Sequence, residues 1–190
     1  MIENPYGEHG GESGFVNTSD VPPQLPILPM RTVGLFPGIS GPLSIGREAS
    51  VRVIEAAFAG DKLIGLLAQR DPTEDKPQPT GLYSVGVAAR LHRIQRAPDG
   101  TLRVLAQGLQ RIRVSEYLQE EPYLRARIQV LHDVEESAKE VESLQVYLVQ
   151  QFGKLMAQTP LMAGELLAAL SSISSPGMIA DIIAGHLNIP

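Results

Sequence analysis

Leu25-Pro26-Ile27-Leu28-Pro29-Met30-Arg31 opens a stretch that runs through Phe36-Pro37-Gly38 and Pro42-Leu43-Ser44-Ile45-Gly46-Arg47-Glu48 to Phe58. Prolines alternate here with large apolar residues. Each proline fixes φ and removes an amide donor, so the backbone is extended but unsuited to an ordinary central strand. It reads as a strand at an edge or entering a compact β domain. Phe36-Pro37-Gly38 is a turn, and Leu43 to Ile45 is a second short extended piece.

The residues after it change period. Glu48 to Ala59 is predicted as a helix, with Val51, Ile54 and Phe58 on one apolar stripe. Glu48 sits in the first turn, where the helix dipole favours a carboxylate, and Gly60 suits the position just past the end. Leu63 to Ala68 is an apolar run short enough for a buried strand, and Arg70 to Thr80 is a surface loop. From Tyr83 to Ile94 the pattern alternates, placing Val85, Val87, Ala89 and Leu91 opposite Arg90 and His92. Ala97-Pro98-Asp99-Gly100 is a turn, from which Leu102 to Val114 returns antiparallel, with a bulge or bend at Gly108. Tyr123 to Leu131 is a last strand, Leu124, Ala126, Ile128 and Val130 on one face.

Asp133 is read as a helix N-cap, with Glu135 and Glu136 in the first turn. Val141, Leu144, Leu148, Phe152 and Leu155 form the stripe of a helix running to Met156. Pro160 interrupts it, Leu161 to Leu170 is a second helix, and Ser175-Pro176 starts a third, buried through Ile179, Ile182 and Ile183. The division expected is a flexible tail over 1–24, a β subdomain over 25–132 and a helical subdomain over 133–190. The absence of a polar tail before Pro190 points to a piece of something longer.

Composition narrows the function. The 190 residues are 43% hydrophobic and 5% aromatic, with a formal net charge of −5 and no cysteine or tryptophan. A core of Leu, Ile, Val and Ala follows. Disulfides, thiolate catalysis and cysteine-ligated zinc are excluded. The acidic balance argues against a polyanionic partner, since phosphate neutralisation supplies much of nucleic-acid affinity. No Lys or Arg precedes Arg31, against a signal peptide, and no apolar run approaches the roughly 20 residues that span a bilayer. A cytoplasmic protein without a membrane partner is expected.

Read in order, several segments resemble the N-terminal domain of the Lon family of ATP-dependent proteases. They are Leu25 to Arg31, Phe36-Pro37-Gly38, Pro42 to Glu48, Leu66 to Asp71, and Leu82-Tyr83-Ser84-Val85-Gly86. Pro98-Asp99-Gly100-Thr101, Val104 to Arg111 and Ile179 to Leu187 complete the set, which covers Leu25 to Pro190. The resemblance implies an α+β fold: a PUA-like, six-stranded β barrel with one crossing helix, followed by an α-helical subdomain. It also implies a domain that helps select unfolded or degron-bearing proteins and supports a homo-hexamer. The ATPase, with its ATP and magnesium, and the serine protease would lie further along the subunit.

The chemistry of those downstream parts is missing here. A phosphate loop needs G-x-x-x-x-G-K-[ST], and Lys62, after Gly60-Asp61, has no Gly immediately before it and no Ser or Thr after it. The other lysines, Lys76, Lys139 and Lys154, suggest no Ser/Lys dyad, so no catalytic residue is assigned. His9, His92, His132 and His186 show no metal-ligand spacing, and no metal or cofactor is expected in this chain.

Two binding candidates remain. One is apolar, Leu35, Phe36, Pro37 and Ile39, where an exposed turn would accept many sequences, against the alternative of burial on the sheet. The other is a basic face of Arg90, Arg111, Arg113, Arg125 and Arg127, against the alternative of a solvated alternating face. That face leaves a second function open, a stand-alone PUA-like module for RNA or a small ligand, although few aromatics are present to stack on bases.

Overall fold

The computed structural model describes residues 21–32, 34–134, 139–156 and 160–187. Along the chain these form β1 (Gln24–Met30), β2 (Ser40–Ile45), α1 (Glu48–Ala59), β3 (Leu63–Ala68) and a 3-10 turn at Pro79–Gly81. β4 (Val85–Arg96), β5 (Leu102–Gln119), β6 (Arg125–Leu131), α2 (Lys139–Met156), α3 (Pro160–Ser171) and α4 (Pro176–His186) follow. The fold is mixed α+β, with strands and one helix first and helices last. Residues 1–20 of the expected tail, together with Glu135 and Glu136, lie outside the described residues.

The six strands make one sheet in the order β2-β5-β4-β3-β1-β6, and β5 also pairs with β6. The pairings therefore run from β1 through β3, β4, β5 and β6 back to β1. The proline-bearing β1 is reconciled with this interior place by splitting its partners. Gln24, Leu25 and Pro26 pair with β6, whereas Ile27 to Met30 pair in parallel with β3. Each half has one flank without a ladder, so neither proline interrupts a strand paired on both sides. β5 runs five residues past the expected Val114 because it changes partner. Its first half pairs with β2 and its second with β6, while β4 accompanies it from Arg113 back to Leu102.

Two apolar clusters lie on the two faces of this sheet. Leu25, Ile27, Leu63, Leu67, Ile112 and Ala126 belong to one; Leu28, Ile64, Leu66, Leu91 and Val104 meet Val53, Ile54 and Ala57 of α1 in the other. β3 is consequently buried on both sides, which is why it reads as a continuous apolar run. Ala88 and Ala89 of β4 are both buried for the same reason, while Val85, expected inside, is exposed. The inward face of α1 is Ser50, Val53, Ile54 and Ala57. The expected stripe partners Val51 and Phe58 are only half-buried, so the helix is rotated from its predicted face.

Gly108 sits at the predicted irregularity, where the β4–β5 register slips between Ala88 and Ala89. Gly60 does not take the left-handed conformation expected of it; the positive φ, +59°, falls on Lys62.

The helices enclose their own cluster of Phe152, Leu170, Ile179 and Ile183. Ser175 caps α4, its hydroxyl accepting from the Met178 amide at 3.3 Å. Of the predicted α2 stripe only Phe152 is buried; Leu144, Leu148 and Leu155 are exposed. Val149 and Met156 turn inward with Phe152 instead. Asp133 lies against the start of α4, with its carboxylate where a Cβ on Gly177 would stand, while 135–138, where it was expected to cap a helix, lie outside the described residues.

Candidate functional site

The apolar candidate forms the seam between sheet and helices. Gly38 has φ +78°, which glycine adopts without strain. Its amide donates to the Gly108 carbonyl at 3.0 Å, and the Gly108 amide donates to the Ile39 carbonyl at 2.8 Å. The Phe36 carbonyl presses on Gly108 so closely that no Cβ fits there. Leu35 is buried in the core, while Phe36, Pro37 and Ile39 are half-buried. Ile39 lies against Gly185 of α4, where an added Cβ would come within 2.9 Å of it. Phe36 and Pro37 are thus the members of this group that combine large apolar surface with access from outside.

The arginines divide. Arg111 on β5 reaches α4: its Nη1 donates to Asp181 Oδ2 at 2.9 Å and its Nη2 to Oδ1, with Asp133 Oδ1 at 4.0 Å. Asp181 is buried, and that burial raises its pKa above the usual carboxylate range; Arg111 opposes the shift and Asp133 adds to it. Arg127 pairs with Glu116 across the β5–β6 ladder. Arg113 and Arg125 are exposed, and Arg90 is half-buried and engaged in an interaction of its own. Arg111 and Arg127 are therefore answered by carboxylates among the described residues.

A third feature was not legible as a site. A cleft of about 480 Å³ opens at the N-terminal end of α1, between that helix, β1, the loop at 75–78 and the segment at 120–124. Arg47 forms one wall. Its Nη2 donates to Gln69 Oε1 at 2.7 Å and to the Pro29 carbonyl at 3.1 Å, and its Nη1 to the Asp75 carbonyl at 3.3 Å. Gln69, itself buried, donates to the carbonyls of Asp71 and Glu74 at 3.0 and 2.8 Å, tying the loop to the sheet. Burial, then the nearby Arg31, lowers the Arg47 pKa, with Asp75 partly offsetting. Among the described residues no three His, Asp or Glu side chains gather to hold a metal, and no helix is long and apolar enough to cross a membrane.

Residues 24–190 match the family described as the ATP-dependent protease La (LON) substrate-binding domain. The chain belongs to this family. It is 42% identical over 172 residues to the Lon protease of Dictyoglomus thermophilum, covering 90% of this chain and 22% of that protein. It is 37% identical over 181 residues to Lon protease 2 of Myxococcus xanthus, covering 93% and 22%. The chain thus spans about a fifth of the length of these curated relatives. Its fold is that of the N-terminal domain of the Mycobacterium avium complex Lon protease, with a TM-score of 0.68, 19% identity, and 87% and 83% of the two chains covered. The Lon N-terminal domain protein from Xanthomonas campestris aligns at a TM-score of 0.53, 16% identity, over 86% and 98%.

In this LON domain the residues that sequence reasoning missed are polar groups inside apolar surroundings. Ser50 stands on the buried face of α1, and Asp181 on that of α4. Their one signal is a short polar residue at the spacing of a core stripe, as in Ser50, Val53, Ile54 and Ala57.

Proposed function

We propose that this LON domain is the non-catalytic substrate-recognition and assembly part of an ATP-dependent, Lon-like serine protease, binding unfolded or degron-bearing proteins. The observation that carries the reading is the match to a substrate-binding family across 24–190, within relatives about five times longer. On this reading ATP, magnesium and the catalytic serine belong to other parts of a cytoplasmic homo-hexameric protein. The closed circuit of strand pairings, with α1 packed on one face, is read as a PUA-like barrel.

The half-buried Phe36 and Pro37 are its proposed contact for unfolded chains. They are presented by a turn anchored on both sides of Gly108, so they offer apolar surface without having to be ordered on binding. The RNA-module reading is less well supported, because Arg111 and Arg127 already face carboxylates of the chain.

The experiment compares wild type and Phe36→Ala for affinity toward a carboxymethylated, permanently unfolded protein, alongside thermal unfolding. Lower affinity at unchanged unfolding temperature is expected. Unchanged affinity in a folded variant removes Phe36 from the contact, and loss of folding makes the turn scaffold.

A further inference from the structure

One face of β4 carries apolar side chains bordered by arginines that no carboxylate answers. Tyr83 stands two residues before β4. Its amide donates to the Ala68 carbonyl at 3.0 Å, and the Ser84 carbonyl accepts from the Val114 amide at 2.8 Å. The extended pairing therefore reaches back past Val85, and side chains two apart share a face. Leu82 and Ala88 point into the core on one side. Tyr83 and Val85 project on the other, 48% and 40% exposed. The Arg70 guanidinium stacks over the Tyr83 ring, 4.6 Å from its centre. Arg113 of β5 is the register partner of Val85, so its exposed side chain stands beside that valine on the same face.

The charge around this strip selects its occupant. Arg70 and Arg113 have no carboxylate within 4.0 Å among the described residues, whereas Arg31, Arg52, Arg96, Arg111 and Arg127 each have one. The acids of the adjoining segments are engaged elsewhere. Asp71 accepts from the Thr73 hydroxyl and amide, Asp133 and Asp181 face Arg111, and Glu116 pairs with Arg127. Glu74, further along the loop after Arg70, lies against Gly81 and works against an acid at that end. Two unanswered cations thus border exposed apolar surface in a chain whose formal net charge is −5. A partner bearing carboxylates beside apolar groups gains from both features.

The strip is also continuous with the Phe36-Pro37 turn. A Cβ on Gly108 would meet both the Phe36 carbonyl and Val87 Cγ1, so Val87 links that turn to Val85, two residues away on the same face. We propose that the strip binds a polypeptide segment in which carboxylates flank apolar side chains. The acids pair with Arg70 and Arg113, and the apolar groups lie on Tyr83 and Val85. The proposal rests on the substrate-binding reading above and gives it a preference for acidic residues. Nucleic acid is the less favoured anion, because it draws on a basic excess and on successive rings for its bases.

The test uses an amidated decapeptide in which Leu and Phe alternate with Gly and Asp, and twins carrying Asn or Lys in place of Asp. Each bears an uncharged dye at its N-terminus. Binding to this chain is followed by fluorescence anisotropy at low and high salt, and by amide NMR shifts. The Asp peptide is expected to bind about three- to ten-fold more tightly than the Asn twin, as two exposed charge pairs supply. The difference shrinks at high salt, and the Lys twin binds most weakly. Shifts should concentrate at Tyr83, Val85 and Arg113. Arg70→Gln and Arg113→Gln, both at exposed positions, should each remove part of the Asp preference. Arg93→Gln, at an exposed position further along β4, should leave it intact.

Equal affinity for the Asp and Asn peptides overturns the proposal. So does a preference that survives Arg70→Gln combined with Arg113→Gln, or shifts that map away from β4 and β5. Tighter binding of a single-stranded oligouridylate, lost in the double variant, overturns the polypeptide and assigns the strip to nucleic acid. Capture of an unfolded, carboxamidomethylated protein without any preference for Asp over Asn would leave the substrate-binding reading standing while this one fell. An Asp preference at the strip without capture of that protein would do the reverse.

Discussion

Arg111 of β5 grips the carboxylate of Asp181 on α4 with both guanidinium nitrogens, 70 residues apart in the chain. The pair joins the sheet to the helices beside the Ile39–Gly185 contact, so the seam has one ionic and one apolar element. Arg111→Met leaves a buried carboxylate without its cation. We expect a loss of about 2 kcal/mol, below the range for fully buried pairs because about a third of Arg111 remains in water. Adding Asp181→Leu should recover most of it, since apolar replacement of both partners is often neutral. Urea unfolding of the single and double variants measures the non-additivity.

The same site carries a pH dependence. The folded pKa of Asp181 is raised by burial, so its contribution is fully present below the unfolded carboxylate value of about 3.9 and is lost as pH rises through the folded value. Asp71 does the opposite. Its carboxylate accepts from the Thr73 hydroxyl and amide, which lowers its pKa, so its contribution is present above the ordinary value and lost as pH falls through the depressed one. Carboxyl-carbon NMR titration should place the Asp71 midpoint below that of Asp181. Asp181→Asn should flatten the fall in stability just above the ordinary carboxylate range.

Gly108→Ala drives a methyl into the Phe36 carbonyl, a backbone atom that moves only with its turn. Overpacking of this kind costs about 1–3 kcal/mol. The expected signature is local as well as global: the Gly38 amide, which donates to Gly108, should exchange with solvent faster than amides of β3.

Lys62 adopts φ +59° with a Cβ, a conformation glycine takes without penalty. Lys62→Gly should raise stability by up to about 1 kcal/mol, despite losing the ammonium placed 6.0 Å from the Phe58 ring centre. Thermal unfolding of the variant is the check.

Strand and helix order was readable because alternation in β6 and apolar spacing in α4 each match one buried face. What escaped were consequences of tertiary pairing. β1 looks like an edge because two prolines interrupt donors, and only the switch from β6 to β3 places it between strands. α2 carries apolar residues on two adjoining arcs, and periodicity could not tell which meets α3 and α4. The Leu144, Tyr147 and Leu155 arc is 66%, 59% and 49% exposed, while Phe152 is buried. At the candidate site, Phe36 and Pro37 were legible from their turn. Arg111 was placed on a basic face because Asp181, the carboxylate that claims it, lies 70 residues away. Ser50 was invisible because α1 is rotated from its expected stripe.

The central claim, direct capture of unfolded chains, is tested by titrating this 190-residue chain against one model protein in two forms, native and carboxymethylated. The account predicts saturable binding of the unfolded form only, weakened by Phe36→Ala, with no hydrolysis of peptide or ATP. Equal affinity for the two forms, or none for the unfolded one, would contradict it.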